Sequence, residues 1–281
     1  MPAVNIRRME SRDLAAGLAL TQGQRWSHRQ EDWEFHFRLG RGWVACDAQD
    51  RPIGTAIWWA YGEQFGTVGL IVVDPAHQGQ GIGRQLLEAV MNDAGPRVLQ
   101  LVATQAGLNL YRRCGFRDRG GIDQRQGTPA TIAAVPAPAG TVLRAVVRDD
   151  LAALGDLDAA AFGANRRAVI DAALSAGEGV LAERGGQPAG FALLRRSGRG
   201  ALIGPVIAPD EGLAIALVSH LLSRTRGFVR IDVPAGAEQL GKWLDAVGLP
   251  SIDRVTTMIR GTPAETPSGA RVFALISQAL N

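Results

Sequence analysis

Hydrophobic and polar residues alternate with two different periods along the first half of the chain. Stretches with apolar residues three or four positions apart, typical of helices, are separated by short apolar runs that are typical of strands. The β-branched run at 67–73 predicts a buried strand. Helices are predicted around Asp13 and at 26–39, 83–92 and 107–114, and further strands at 42–47, 53–61 and 98–103. This order of elements predicts an α/β fold with a mixed sheet.

The second half of the chain repeats the pattern of the first. Ile6 and Leu143 are each followed by arginine and, seven residues later, by an Asp-Leu-Ala sequence. Gly115 and Gly248 lie in the matching sequences Cys-Gly-Phe and Val-Gly-Leu. The offset between the copies decreases from 137 residues at the first pair to 133 at the last, as small deletions after a duplication would produce. Repeats of this length are duplicated domains, because solenoid repeats are much shorter.

The two copies define the expected domains. The segment 128–140 is uncharged and rich in proline, alanine and glycine, which is typical of an extended connector. We therefore predict an N-terminal domain at 1–127, a linker at 128–140 and a C-terminal domain at 141–281.

Composition excludes several classes of protein. Of the 281 residues 46% are hydrophobic and 20% charged, as in soluble globular proteins. No apolar run approaches the length of a membrane span, and no apolar leader is present at the start, so a cytoplasmic protein without a membrane partner is expected. Cys46, Cys114 and the four scattered histidines give no metal-ligand spacing. The net charge of +3 is not gathered into a basic stripe, so no nucleic-acid partner is expected.

A glycine-rich loop is the strongest local signal. It follows the predicted buried strand, contains Gly79, Gly81 and Gly83, and opens the next helix. Glycines let the backbone approach a ligand closely, and the N–H groups and dipole of the helix would hold a pyrophosphate. The order of residues fits neither the dinucleotide fingerprint G-x-G-x-x-G nor the P-loop. The alternative is a tight strand-to-helix turn without a ligand.

Two motifs give the chain a resemblance to a known family. Gln78-x-x-Gly81-x-Gly83 matches the pyrophosphate loop of the GNAT acetyltransferases, and 110–116, Leu-Tyr-x-x-x-Gly-Phe, matches their second motif at the usual distance. The chain resembles tandem GNAT proteins in particular, with two GNAT-like domains of which the second is degenerate. The resemblance implies acetyl-CoA as co-substrate and no metal. The cofactor-binding residues that it implies are Ile71, Val72, Val73, Gln78, Gly79, Gln80, Gly81, Ile82, Gly83, Arg84 and Thr104.

The resemblance also implies a mechanism. The strands ending near Val73 and Ala103 should splay apart and accept the pantetheine arm between them. Backbone N–H groups at 71–73 would stabilise the tetrahedral oxyanion. Tyr111 would protonate the departing thiolate, whereas the alternative for it is a core aromatic residue. Two positions depart from the family: Thr104 replaces a common asparagine, and Thr67 replaces the glutamate that often acts as general base.

The missing base has several candidates in the segment 26–34 and at Glu63. We predict Glu31 as the catalytic base, because this region forms part of the acceptor cleft in the family that the chain resembles. The alternative for most of these residues is a solvated charged face, with Trp26 and Trp33 in the core. Alternation along the strand predicts that Trp58 and Trp59 face opposite sides of the sheet, and one of them could line the acceptor pocket.

The second copy lacks the chemistry of the first. Its segment 209–214 has lost two of the loop glycines, and its acidic residues Asp210 and Glu211 would repel a pyrophosphate. Leu244 stands where the first copy has Tyr111. The second domain is therefore expected to keep the fold without catalysis, closing the acceptor cleft or supplying dimer surface. Asp158 and Asp232 are candidate substrate contacts there.

The sequence favours an N-acetyltransferase that moves an acetyl or other short acyl group from CoA to an amine. A small-molecule amine is preferred, because a second domain more naturally encloses a small molecule than a peptide. A non-catalytic acyl-CoA-binding sensor and a protein lysine acetyltransferase stay open as alternatives, as does a homodimer.

Overall fold

The computed structural model describes residues 4–263 and 269–281, which form two compact units. The first unit contains the described residues up to Arg119, and also Met258–Thr262 and Leu280 from the far end of the chain. The second contains Gly120–Thr257 and the other described residues after 262. This division differs from the predicted domains in two places. Residues 120–127, which precede the predicted linker, belong to the second unit, and Met258–Thr262 and Leu280 belong to the first.

The first unit is a sheet with helices on both of its faces. Its strands follow chain order, β1-β2-β3-β4-β5, with antiparallel neighbours up to β4 and a parallel pair β4/β5. Its elements are β1 (Asn5–Arg8), α1 (Leu14–Gly23), α2 (Gln30–Leu39), β2 (Arg41–Cys46), β3 (Pro52–Tyr61), β4 (Phe65–Val73), α3 (Ile82–Ala94), β5 (Val98–Ala103) and α4 (Leu108–Arg113).

The two tryptophans of β3 show which helices cover each face. Trp58 donates a hydrogen bond to Asp93 on α3 (2.6 Å), and Trp59 donates one to the carbonyl of His36 on α2 (2.9 Å). The predicted alternation along this strand is confirmed, and both rings are buried in the core. The core on the α3 face also contains Met258 from the far end of the chain.

The second unit repeats this topology. Its strand order is β7-β8-β9-β10-β11-β6, again antiparallel until a single parallel pair, β10/β11, followed by the antiparallel pair β11/β6. The repeated order confirms the mixed α/β fold of the second copy. Its elements are β6 (Arg117–Gly127), β7 (Thr141–Ala145), α5 (Leu151–Phe162), α6 (Arg167–Ser175), β8 (Gly177–Arg184), β9 (Gln187–Ser197), β10 (Gly200–Ala208), α7 (Glu211–Leu222), β11 (Val229–Pro234), α8 (Glu238–Ala246), β12 (Ser251–Arg260) and β13 (Arg271–Ala274). The first residues of β6 and the last residues of β12 belong to the first unit.

The predicted elements are confirmed with one shifted boundary and two omissions. The helix predicted at 26–39 begins only at Gln30, because Arg29 is an extended N-cap whose N–H donates to the Asp32 carboxylate (3.0 Å). Strands β1 and β6 were missed. Both are rich in arginine and polar residues, so neither shows the apolar run of a buried strand.

Candidate functional site

The loop between β4 and α3 is built around two glycines in the left-handed conformation. Gly79 has φ +76° and Gly81 has φ +81°, a region that residues with a Cβ adopt at a cost. A Cβ added at either position would have no atom within 4 Å, so the face of the loop that the glycines present is open. Gln78 stabilises the start of the loop by donating to the carbonyl of Val73 (3.0 Å). The glycines are therefore required by backbone conformation, not by crowding.

The N-terminus of α3 offers its N–H groups to a ligand. Its N-cap is Gly81, which has no side chain, and no side chain among the described residues caps this helix. The first intrahelical bond runs from Gln85 N–H to Gly81 O (3.1 Å). The N–H groups of the first turn, at Ile82, Gly83 and Arg84, precede this bond and lie at the positive end of the helix dipole. An open loop followed by an uncapped helix fits an anionic group such as a pyrophosphate.

Strands β4 and β5 pair only along their first parts. Their register runs from Phe65↔Val98 to Val68↔Leu101, although β4 continues to Val73 and β5 to Ala103. Within the described residues, the last part of β4 therefore has a partner only on its β3 side. The pairing thus ends where the predicted splaying begins, and the position of a pantetheine arm beside 69–73 stays a prediction.

A β-bulge marks the place where the two strands part. The β3/β4 register shifts between Thr55↔Val72 and Ile57↔Gly69, which adds one residue to β4. Leu70 at this bulge has φ +50°, which is unusual for a residue with a branched side chain, and its carbonyl accepts a hydrogen bond from Thr55 Oγ1 (2.8 Å). Bulges of this kind change the direction in which the following backbone groups point. The implied oxyanion donors, 71–73, follow directly.

Tyr111 lies on α4, in the same core as α3. Its ring is 8% exposed and makes an edge contact with Phe116, at 6.2 Å between ring centroids. Burial raises the pKa of the Tyr111 phenol to about 12, with a smaller contribution from Cys114. The phenol is therefore fully protonated at neutral pH and can serve as a proton donor.

Two other predicted cofactor residues lie at the ends of neighbouring elements. Thr104 is exposed directly after β5, and its carbonyl accepts a hydrogen bond from Gly107 N–H (2.9 Å) that starts the turn into α4. Arg84 is exposed in the first turn of α3 and pairs with Glu88 (2.7 Å). Both are accessible to a ligand, and the described structure does not assign them a role.

Glu31 lies in solvent at the first turn of α2. Its side chain is 70% exposed, and its ion pair is a long one to Arg29 (4.0 Å). Glu34 is exposed as well and accepts a hydrogen bond from Gln30 (3.0 Å), whereas Trp33 is fully buried. The solvated face expected as the alternative is thus what these glutamates form. Because the Glu31 carboxylate is exposed and its ion pair with Arg29 is long, its catalytic role stays a prediction.

Thr67, which stands where the resemblance implies a glutamate base, has its hydroxyl engaged in a hydrogen bond. Thr67 is buried, and its hydroxyl donates to the Tyr61 hydroxyl (3.1 Å), which in turn donates to the carbonyl of Leu280 (2.9 Å). The Thr67 hydroxyl therefore takes part in a series of hydrogen bonds between uncharged groups, two hydroxyls and one carbonyl.

Sequence reasoning missed two residues near the candidate site. Gly107 packs against the Tyr111 ring, so that a Cβ there would lie 2.6 Å from Tyr111 Cε2. His36 is 3% exposed on α2, beside Trp59 at 5.7 Å between ring centroids, and its Nδ1 lies 2.6 Å from the carbonyl of Asp32. The position of Gly107 just before the Leu-Tyr motif was a signal for the first. The helical spacing of His36 from Trp33 was a signal for the second.

In the second unit, the places that correspond to a cofactor site are filled by the chain itself. Asp210 caps α7, and its carboxylate accepts from Leu213 N–H (2.8 Å). Strand β13 pairs with the last part of β10, and the next residue, Leu275, donates its N–H to Asp232 O on β11 (2.9 Å). The Leu275 carbonyl also packs against Gly204, where an added Cβ would overlap with the carbonyl oxygen of Leu275. The second copy thus holds a carboxylate at the helix end and a strand in the gap between β10 and β11.

The other two candidates of the second copy are internally paired. Asp158 is buried in an ion pair with Arg166 (2.8 Å), and Asp232 is buried in one with Arg230 (2.9 Å). The described residues contain no group of three or more His, Cys, Asp or Glu side chains that could hold a metal ion. Within the same residues, no helix has the length and apolar character needed to span a membrane.

Comparisons with known proteins identify the family and the fold. Residues 38–118 and 154–274 each match a family of acetyltransferase (GNAT) domains. The chain is 29% identical over 217 residues to the uncharacterized N-acetyltransferase YitH of Bacillus subtilis, covering 76% of each protein. It is similar in fold to a candidate acetyltransferase of Pyrococcus horikoshii (TM-score 0.76, 18% identity, 99% of this chain and 96% of that one). It is also similar in fold to a tandem GNAT protein from the clavulanic acid biosynthesis pathway (TM-score 0.64, 14% identity, 94% and 100%).

Proposed function

Since both halves of this chain belong to the GNAT family of acetyltransferases, we propose that its first domain transfers an acetyl or short acyl group from acetyl-CoA to a small-molecule amine. The observation that carries the proposal is the contrast between the two copies. The first has an open glycine loop, an uncapped α3 and a gap beside β4, whereas the second fills the corresponding places with Asp210 and β13. One acetyl-CoA is therefore expected per chain, bound by the first domain.

The proposed binding uses the backbone more than side chains. The N–H groups at the start of α3 and in the loop 78–81 hold the pyrophosphate, with Gln78, Gln80 and Arg84 at its rim. Thr104 and residues 71–73 contact the arm that lies along the free edge of β4. When bound, acetyl-CoA supplies a thioester whose carbonyl oxygen gains negative charge during attack by an amine. Backbone N–H groups at 71–73, after the bulge at Leu70, stabilise that charge.

Tyr111 is proposed as the general acid. The amine nitrogen forms a bond to the carbonyl carbon, the carbon–sulfur bond breaks, and the departing sulfur takes the phenolic proton. The amine proton returns to Tyr111 through solvent or a base, so that the enzyme ends in its starting form. The high pKa of the buried phenol supports this role, because it keeps the proton in place until sulfur departs. Glu31 stays the predicted base.

The proposed acceptor class is a small amine. A similar tandem GNAT protein belongs to the biosynthesis pathway of a small molecule, clavulanic acid, which favours this class. A protein lysine substrate would need an extended open groove for its peptide.

The test is thiol release from acetyl-CoA over a panel of small amines and lysine peptides, with wild type and Tyr111→Phe side by side. Calorimetry with acetyl-CoA runs in parallel. We expect turnover with a small amine, strong loss of turnover in Tyr111→Phe, and retained binding at one site per chain. Binding without turnover on any amine or peptide would identify an acyl-CoA sensor instead. Turnover on peptides alone would identify a protein lysine acetyltransferase, and absence of binding would refute the assignment of the loop.

A further inference from the structure

The end of strand β12 places an arginine at the edge of the first unit. Met258–Thr262 belongs to that unit, and Met258 is fully buried in its core together with Tyr111 and Phe116. Arg260 follows two positions later on the same strand and therefore projects to the same face of the sheet as Met258. That face is the one covered by α3 and α4. Arg260 is half-buried, so its stem packs against the unit while its guanidinium reaches the rim.

The surroundings of Arg260 connect it to the glycine loop. Arg260 Nε lies 3.8 Å from the position of a Cβ on Gly115, directly after α4. Burial raises the pKa of the neighbouring Cys114 thiol, with a smaller contribution from Glu88, and both Arg84 and Arg260 oppose that change, so both arginines lie close enough to Cys114 to act on its charge. One helical turn before Cys114, Leu110 lies 3.4 Å from the position of a Cβ on Gly83.

The arginines near the start of α3 and the end of α4 differ in whether they have acidic partners. Arg84 pairs with Glu88 (2.7 Å), and Arg112 pairs with Asp118 (2.7 Å). Among the residues that the structure describes, the guanidinium of Arg260 has no ion pair and no hydrogen bond. A guanidinium without an acidic partner presents a planar set of donors that matches a phosphate group. A dianionic phosphate is the chemistry that this position would bind.

We propose that Arg260 binds the 3′-phosphate of CoA, so that a residue of the second half completes the cofactor site of the first. The proposal rests on the proposed function, which places the pyrophosphate at the loop and the start of α3. In CoA the 3′-phosphate lies one ribose away from the pyrophosphate. Gly83, Leu110, Cys114 and Gly115 form a continuous set of neighbours between the loop and Arg260.

Calorimetric titration of the full chain with CoA and with 3′-dephospho-CoA tests the proposal. Wild type should bind CoA about tenfold more tightly than dephospho-CoA, the scale of one charge-assisted hydrogen bond on a partly exposed surface. Arg260→Gln should weaken CoA binding to the level of dephospho-CoA and leave the latter unchanged. Arg260→Lys should retain part of the preference. Arg38→Gln, an exposed arginine on α2 on the opposite face of the sheet, is the matched control and should behave as wild type.

Each other outcome has a distinct meaning. An unchanged preference for CoA in Arg260→Gln would overturn the proposal while leaving the loop assignment intact. Equal weakening of both ligands would show that Arg260 acts through the fold and would overturn it as well. If wild type binds neither ligand, the proposed function itself fails. Circular dichroism of each variant before titration establishes that the chain is folded.

Discussion

Gly107 leaves space for the Tyr111 ring, and a single methyl group would remove that space. A Cβ at position 107 would lie 2.6 Å from Tyr111 Cε2 and 3.3 Å from the hydroxyl oxygen. Gly107 has φ −84° and ψ −21°, which any residue adopts without strain. The substitution Gly107→Ala therefore acts by steric displacement of the phenol alone. It tests whether the position of Tyr111, and not merely its presence, matters for activity.

The size of the effect follows from the contact. Carbon atoms pack best at about 3.5–4.0 Å, so the ring must move by about 1 Å. It cannot swing into solvent easily, because it is 8% exposed and packs against Phe116. Overpacking of this kind costs about 1–3 kcal/mol of stability. A displacement of about 1 Å at a reacting group lowers the rate by about 100-fold, so we expect a loss of about 10- to 100-fold in kcat.

The assay is steady-state thiol release with an amine that supports turnover, for wild type, Gly107→Ala, Tyr111→Phe and the double variant. If Gly107 acts through the phenol, the double variant should have the same kcat as Tyr111→Phe alone. Gly23→Ala serves as control, because a Cβ at the end of α1 meets nothing within 4 Å. Gly107→Ala with kcat within twofold of wild type would refute the reasoning. Losses that add in the double variant would refute it equally.

Three further predictions concern the two helix ends and the phenol. Gly81→Ala forces alanine to φ +81°, so the free energy of unfolding in urea should fall by about 1 kcal/mol. CoA binding measured by calorimetry should also weaken, and an unchanged CoA affinity would contradict the loop assignment. Asp210→Ala removes the cap on α7 and should cost about 1 kcal/mol without changing CoA affinity, and a change in that affinity would place CoA in the second copy. Burial raises the pKa of Tyr111 to about 12 from about 10 in the unfolded chain, so the stabilisation from the buried neutral phenol is complete below about pH 10 and is lost as the pH rises towards 12. Urea unfolding at pH 8 and pH 11 should therefore show a larger loss for wild type than for Tyr111→Phe, and equal losses would contradict the burial of the phenol.

The sequence was sufficient for the elements and motifs that depend on local pattern. The buried run before the loop, the loop glycines and the amphipathic α3 are local features, and the structure has them where the pattern indicates. The splaying of β4 and β5 followed from the resemblance carried by the two motifs. The degenerate second copy could also be predicted, because Asp210 stands in the segment that has lost two of the loop glycines.

The rest depended on contacts between distant residues. β13 lies in the gap of the second copy, and nothing in its four residues indicates that position. The hydrogen bonds from Thr67 to Tyr61 and from Tyr61 to Leu280 connect residues more than two hundred positions apart in sequence. A periodic pattern of local residues cannot predict such a contact. The first turn of α2 was predicted too early, because the capping interaction of Arg29 with Asp32 ends the extended segment only at Gln30.

The membership of Met258–Thr262 in the first unit has a consequence for how the chain is made. A ribosome adds about 5–20 residues per second, so roughly 140 residues and about 7–30 seconds separate the synthesis of Arg119 from that of Thr262. During that interval the core around Tyr111 and Phe116 lacks Met258 and stays partly open to water. The first unit is begun first but is completed only near the end of synthesis. A chain that ended between the two copies would therefore lack Met258 and with it part of the core of the first unit.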